Sequence, residues 1–137
     1  MKAIGTFAVT AFVPTDVVPD PPIGTALPVG IATMTKEFAG EITGRAATLF
    51  TSAFDMASGA GTYLAMESFE GTLGGRTGAF NFVHSASTSG TDRSGEFFRI
   101  VPDSGTGELA GLTGTGGLSV DAEGGHHIWF DYEIPGA

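Results

Sequence analysis

The chain has no cysteine. That excludes disulfides, thiolate nucleophiles and cysteine-ligated zinc. Basic residues are few, 6 against 15 acidic, for a net charge of −9. Lys2, Lys36, Arg45, Arg76, Arg93 and Arg99 are scattered along the chain. They do not gather into the basic patch that nucleic acid or an anionic membrane surface requires. Long apolar runs are also missing. No stretch approaches the ~20 apolar residues of a membrane span. The opening MKAIGTFAVTAFVP has neither the apolar run nor the small-residue cleavage site of a secretory leader. These absences predict a cytoplasmic protein with no nucleic-acid or membrane partner.

Glycine and phenylalanine are abundant, 22 and 11 of 137 residues. Only 15% of residues are charged. Such a chain reads as short strands joined by glycine turns, with enough apolar bulk for one core. Strands are predicted over 4–13, 30–39, 42–54, 61–70, 77–87, 95–102, 115–122 and 126–134. The Gly74-Gly75 and Gly124-Gly125 pairs mark two of the turns. A short helical turn suits GELAGL within 104–114. No βαβ alternation appears. The expected fold is all-β, a single domain over 1–137 with eight antiparallel strands, either a closed barrel or a split sandwich. Five of the seven prolines fall between Pro14 and Pro28. They preclude a helix or central strand over about 14–29. With Val17, Val18, Ile23 and Leu27 this segment reads as a rim or lid loop, or as an ordered loop packed on the outside.

Strand side chains alternate between faces. In TYLAMESFEG the odd positions are Tyr63, Ala65, Glu67 and Phe69. In AFNFVHS the even positions are Phe80, Phe82 and His84. A two-residue loop at Gly74-Gly75 pairs Glu67 with Phe82, whereas one at Arg76-Thr77 pairs Phe69 with His84. Both registers gather Tyr63, Glu67, Phe69, Phe80, Phe82 and His84 on one face, the expected interior. In HHIWFDYEI the inward set is His126, Ile128, Phe130, Tyr132 and Ile134, which leaves Trp129 outside.

Glu67 and His84 form the sharpest candidate pair. A carboxylate among aromatic rings resists ionisation, and a neighbouring imidazole can share its proton. That is general acid/base chemistry in a cavity. The alternative is a satisfied ion pair with no chemical role. Tyr63 and Tyr132 are added as hydrogen-bonding or proton-transfer groups. Phe69, Phe80, Phe82 and Phe130 are taken as substrate-binding walls. His126 and His127 are adjacent on a strand, so they point to opposite faces and do not make a metal pair. No metal and no cofactor is expected. GTGELAG lacks the spacing and βαβ context of a dinucleotide fingerprint. No G-x-S-x-G elbow supports a hydrolase.

The segments ESFEGTLGGRTGAFNFVH and VPDSGTGELAGLTGTGG carry a resemblance. So do FDYE at 130–133 and the pattern of Thr35, Lys36, Phe38, Gly40, Ile42 and Gly44. Over about residues 30–134 the chain resembles a bacterial family of uncharacterised single-domain proteins. Its barrel is described as allene-oxide-cyclase-like, or calycin-like. The resemblance implies an eight-stranded antiparallel barrel, a homodimer or other homo-oligomer, and no assigned activity. Barrels of that broader type include natural-product cyclases whose interior is a shaped apolar reaction vessel. The chain departs from the family in the first loop, VPTDVVPDPPIGTALP, and at Arg45, where an acidic residue is common. The leading expectation is a cofactor-independent cyclase or isomerase for an apolar, polyketide-like small molecule. The alternatives are a non-catalytic carrier of a lipophilic ligand and a filled barrel acting through its surface. A cavity of about 300 Å³ or more separates the first two from the third.

Overall fold

The computed structural model describes residues 1–136. Eight strands run in chain order around one ring: β1 (Lys2–Pro14), β2 (Val29–Gly40), β3 (Ile42–Asp55), β4 (Ala60–Leu73), β5 (Arg76–Ser89), β6 (Asp92–Ile100), β7 (Thr113–Val120) and β8 (His126–Glu133). All neighbours are antiparallel, and β8 closes on β1, giving a barrel rather than a split sandwich. Among the described residues the only helical turn is a 3-10 turn, Gly107–Leu109. The strands outrun their sequence-predicted bounds by a few residues, because ladder pairing continues past the last alternating apolar side chain. The last three strands differ: β6 and β7 start three and two residues earlier than expected and end at Ile100 and Val120, two residues short each, and β8 ends at Glu133, one residue short.

The turns sort to two ends. Short turns at Glu41 and Gly74-Gly75, together with the 101–112 connection, lie at the lower end. The long 15–28 loop and the β3–β4, β5–β6 and β7–β8 turns lie at the upper end. The Gly74-Gly75 turn has positive φ at both residues, 56° and 85°, as a two-residue hairpin turn demands. It fixes the register with Glu67 opposite Phe82.

The lower half is solid. Phe69, Phe80, Phe82 and Phe130 are at most 2% exposed. Their rings meet at 5.1–5.5 Å, from Phe69–Phe80 through Phe80–Phe130 and Phe82–Phe130. Leu109 and Leu112 from the connection seal the end. That connection has a second task. The lower part of β5 extends beyond the reach of β6, and its backbone groups need partners. Thr106 N–H donates to the Ala79 carbonyl at 2.8 Å. Glu108 Oε1 accepts from Thr77 N–H, and the hydroxyls of Thr106 and Ser104 accept from the Ala79 and Asn81 N–H groups, each at 3.0 Å. The glycine-rich block therefore replaces a missing strand partner.

Two local irregularities aim side chains. Between Val9 and Ala11 the β1–β2 register shifts, so that Val9 and Phe12, three apart, both reach the interior. Between Ser85 and Ser87 the β5–β6 register shifts. On the outer surface Trp129 is half-buried and lies across Gly117, where a Cβ would fall 2.1 Å from its ring. Upper β6 and β7 separate, and the two strands pair only through Arg99 and Thr115.

Candidate functional site

The upper half of the barrel is a pocket of about 650 Å³. Its wall is mostly apolar, with Phe7, Phe12, Met34, Phe50, Phe54 and Leu118 contributing side chains. Tyr63, His84, Lys36 and Arg93 also reach it.

These polar groups belong to one hydrogen-bonded chain crossing β2 to β6. Glu67 sits at its centre with no solvent exposure. Thr48 is directly opposite on β3 and donates its hydroxyl to Oε1. Lys36 on β2 faces Ala46 across the ladder. That small side chain leaves room for the lysine to extend over β3 and donate to Glu67 Oε2. His84 on β5 contacts the same oxygen through Nε2 at 2.7 Å. Its Nδ1 lies 3.1 Å from the Tyr63 hydroxyl. Arg93 Nη2 donates to the Tyr63 oxygen at 2.9 Å, and Arg93 Nε donates to Glu96 at 3.1 Å. No buried side-chain nitrogen or oxygen among the described residues lacks a partner.

The donor pattern has one consistent direction. Arg93 can only donate, so the Tyr63 oxygen accepts from it and the phenol proton is free for His84 Nδ1. The imidazole then carries its own proton on Nε2, directed at Glu67. Burial alone would raise the Glu67 carboxyl, but hydrogen bonds from His84, Lys36 and Thr48 and the Lys36 charge outweigh it and hold the group below its ordinary value. Burial pushes His84 down, and the Lys36 and Arg93 charges add to this against the opposing pull of Glu67. The resting state is an ionised carboxylate beside a neutral imidazole. The phenol stands at the pocket wall, and a proton arriving at Nδ1 would find Glu67 ready to stabilise the imidazolium, the logic of a carboxylate–imidazole–hydroxyl relay.

The sequence-predicted residues divide between pocket and floor. Tyr63 and His84 line the pocket, and Glu67 lies behind them. Tyr132 is buried at the opposite end, beside Gly74, where a Cβ would fall 2.3 Å from its hydroxyl. Phe69, Phe80, Phe82 and Phe130 belong to the packed core and form the floor rather than the pocket wall. His126 faces the pocket and stacks on Phe7 at 4.8 Å, whereas His127 points outward to Asp121 at 2.9 Å. Of the proline-rich segment Pro28 and Val29, at its end, line the pocket; Val17, Val18 and Ile23 are exposed.

Lys36, Thr48 and Arg93 were not anticipated. Lys36 did leave a signal: Met34, Lys36 and Phe38 share a parity, and so a face. Arg93 left none, because the β5–β6 register shift decides its direction.

The fold and pocket define a class: closed eight-stranded antiparallel barrels, filled at one end and hollow at the other. The chain matches a family described as a protein of unknown function, DUF3224, over residues 3–132. It belongs to that family. Among solved structures it is similar to a protein of unknown function from the DUF3224 family of Shewanella oneidensis MR-1. The two are 31% identical, the alignment covers 98% of this chain and 97% of that one, and the TM-score is 0.82. No curated protein matches the chain.

Proposed function

We propose that the protein binds an apolar small molecule in the upper pocket and promotes its isomerisation or cyclisation without a cofactor. The observation that carries this reading is the Glu67–His84–Tyr63–Arg93 chain ending at the wall of an apolar pocket of about 650 Å³. That volume suits a drug-sized ligand. The walls restrict the conformers of a flexible substrate, which is worth several kcal/mol when the reacting atoms are brought together. The N–H donors of Arg93 that are not bonded to Tyr63 or Glu96 polarise a substrate carbonyl at the wall. With its own proton passed to His84 Nδ1 and Glu67 steadying the imidazolium, the Tyr63 oxygen takes a proton from the carbon beside that carbonyl to leave an enolate and returns it at a second carbon. His84 then gives its proton back to Tyr63, so the isomerisation proceeds with no net gain or loss of protons. The exposed apolar side chains of the 15–28 loop lie at the same end and are available to cover a bound ligand. The sequence resemblance is to a family whose barrel is described as allene-oxide-cyclase-like, and a barrel of that type with its interior as a reaction vessel is in keeping with this reading.

The test uses a panel of apolar ketones and β-diketones of polyketide type in deuterated water. Carbon-bound hydrogen exchange beside the carbonyl is followed by NMR. At least one compound that binds should exchange faster than in buffer. Tyr63→Phe and His84→Gln should each lower that rate by roughly 100-fold. Stoichiometric binding with no acceleration for any compound would refute the enzyme reading in favour of a lipophilic carrier.

A further inference from the structure

The charge of the pocket is opposite to that of the molecule. The chain has 15 acidic and 6 basic residues, a net charge of −9. None of the acidic side chains lines the pocket. Two of the basic residues, Lys36 and Arg93, do, and so do the histidines His84 and His126. Glu67 answers the Lys36 charge from behind the wall. Arg93 is different. Among the described residues its only acidic partner is Glu96, held through Nε at 3.1 Å, and the Glu96 side chain is half exposed. One Arg93 Nη2 bond goes to Tyr63. A guanidinium has five N–H donors in a planar fork. The remaining N–H donors have no partner among the described residues.

We propose that the pocket selects an organic anion: a mostly apolar body with one oxyanionic head, carboxylate, enolate or sulfonate, seated against Arg93. The proposal deepens the reading of the pocket as a ligand site and rests on it. An uncharged apolar ligand would need only the aromatic and aliphatic wall. It would give no reason for a strongly acidic protein to keep every carboxylate off that wall while placing a guanidinium there. A charge-assisted, forked contact is among the strongest single polar interactions available to a ligand. The Tyr63 oxygen, which accepts from Arg93, lies beside the seat and fixes the guanidinium there. The long-range field of the protein works against anions, so any preference for one has to come from this local site.

A matched pair of fluorescent probes tests the idea. Anilinonaphthalene sulfonate and phenylnaphthylamine share the same aromatic body and differ by the sulfonate. Both brighten on leaving water. Each is titrated into the full chain and into Arg93→Gln and Arg93→Lys, with mutual displacement establishing one shared site. Arg93 is partly exposed, so neither change threatens the fold, and circular dichroism checks this. The expected result is a roughly tenfold or greater loss of sulfonate affinity in Arg93→Gln, partial recovery in Arg93→Lys, and less than about a twofold change for the neutral probe. Equal losses for both probes, or none for the sulfonate, would overturn the proposal. So would a sulfonate that the neutral probe fails to displace. If the neutral probe binds the wild type and the sulfonate does not, anion selection fails and the ligand pocket stands. If neither binds, the pocket reading falls as well.

Discussion

The buried pair of Lys36 and Glu67 offers the most direct test of the site's physics. Their side chains are 5% and 0% exposed, so neither can turn to water if its partner is removed. Glu67→Gln keeps the shape and the hydrogen bonds to His84 and Thr48, but it leaves the Lys36 ammonium inside the barrel with no counter-charge. Breaking a buried pair from one side costs about 3–5 kcal/mol. Lys36→Met removes the cation instead. Glu67 then keeps two donors, Thr48 and His84, so the cost should be smaller, about 1.5–3 kcal/mol, the worth of one hydrogen bond to a charged group. The double variant carries neither charge. It should lose less than the two single losses added together, by about 2 kcal/mol or more. Urea unfolding of the four proteins measures this, with the slope checked for constancy. Total stabilities of about 5–15 kcal/mol leave room for the single variants to fold. Additivity within about 0.5 kcal/mol would refute the coupling and with it the account of how Glu67 stays ionised.

Two further outcomes are expected. His84 and His126 both titrate below the ordinary histidine value of 6.5 in the folded chain, so the unfolded chain takes up protons first and stability falls as the pH drops below about 6.5. Glu67, held below 4.5, adds a loss of the same sign at lower pH. Urea midpoints should therefore decline from about pH 7 to about pH 5, and His84→Gln should flatten the slope; a wild type more stable at pH 5 would contradict the assigned protonation states. Separately, Gly71 sits at φ 151° with the Thr43 carbonyl oxygen 2.0 Å from where a Cβ would lie. Gly71→Ala should cost about 2–4 kcal/mol. Gly24→Ala, with nothing within 4 Å, should stay within about 0.5 kcal/mol by thermal unfolding. Equal effects would show that the close β3–β4 approach at Gly71 is not under strain.

Much of this fold was written in local pattern. Glycine pairs marked the turns, and alternation assigned the faces of β4, β5 and β8, because both depend only on neighbouring residues. Tyr63, Glu67 and His84 could be grouped on one face whichever turn closed the hairpin, since both candidate turns were even in length. Height along the barrel axis was not legible. Tyr132 and the four phenylalanines share the inward parity of Tyr63, yet they lie in the floor. Parity gives the face of a residue, whereas the depth at which filling stops depends on the 101–112 connection sealing the lower end. Arg93 was hidden for a different reason. A register shift between β5 and β6 resets the alternation, and no local signal marks where that happens.

The thin junction between β6 and β7 has a mechanical consequence. A closed ring of strands has no free edge, and it opens first where its shortest ladder yields. Here one ladder has shrunk to the single pair of Arg99 and Thr115, while the β3–β4 ladder runs unbroken from Ile42–Leu73 to Asp55–Ala60. The cuff therefore has a clasp. A small cleft of about 190 Å³ already sits there, reaching inward to His84 and Arg93 beneath Trp129. Springing that clasp would give the relay a side door, with the aromatic floor left undisturbed.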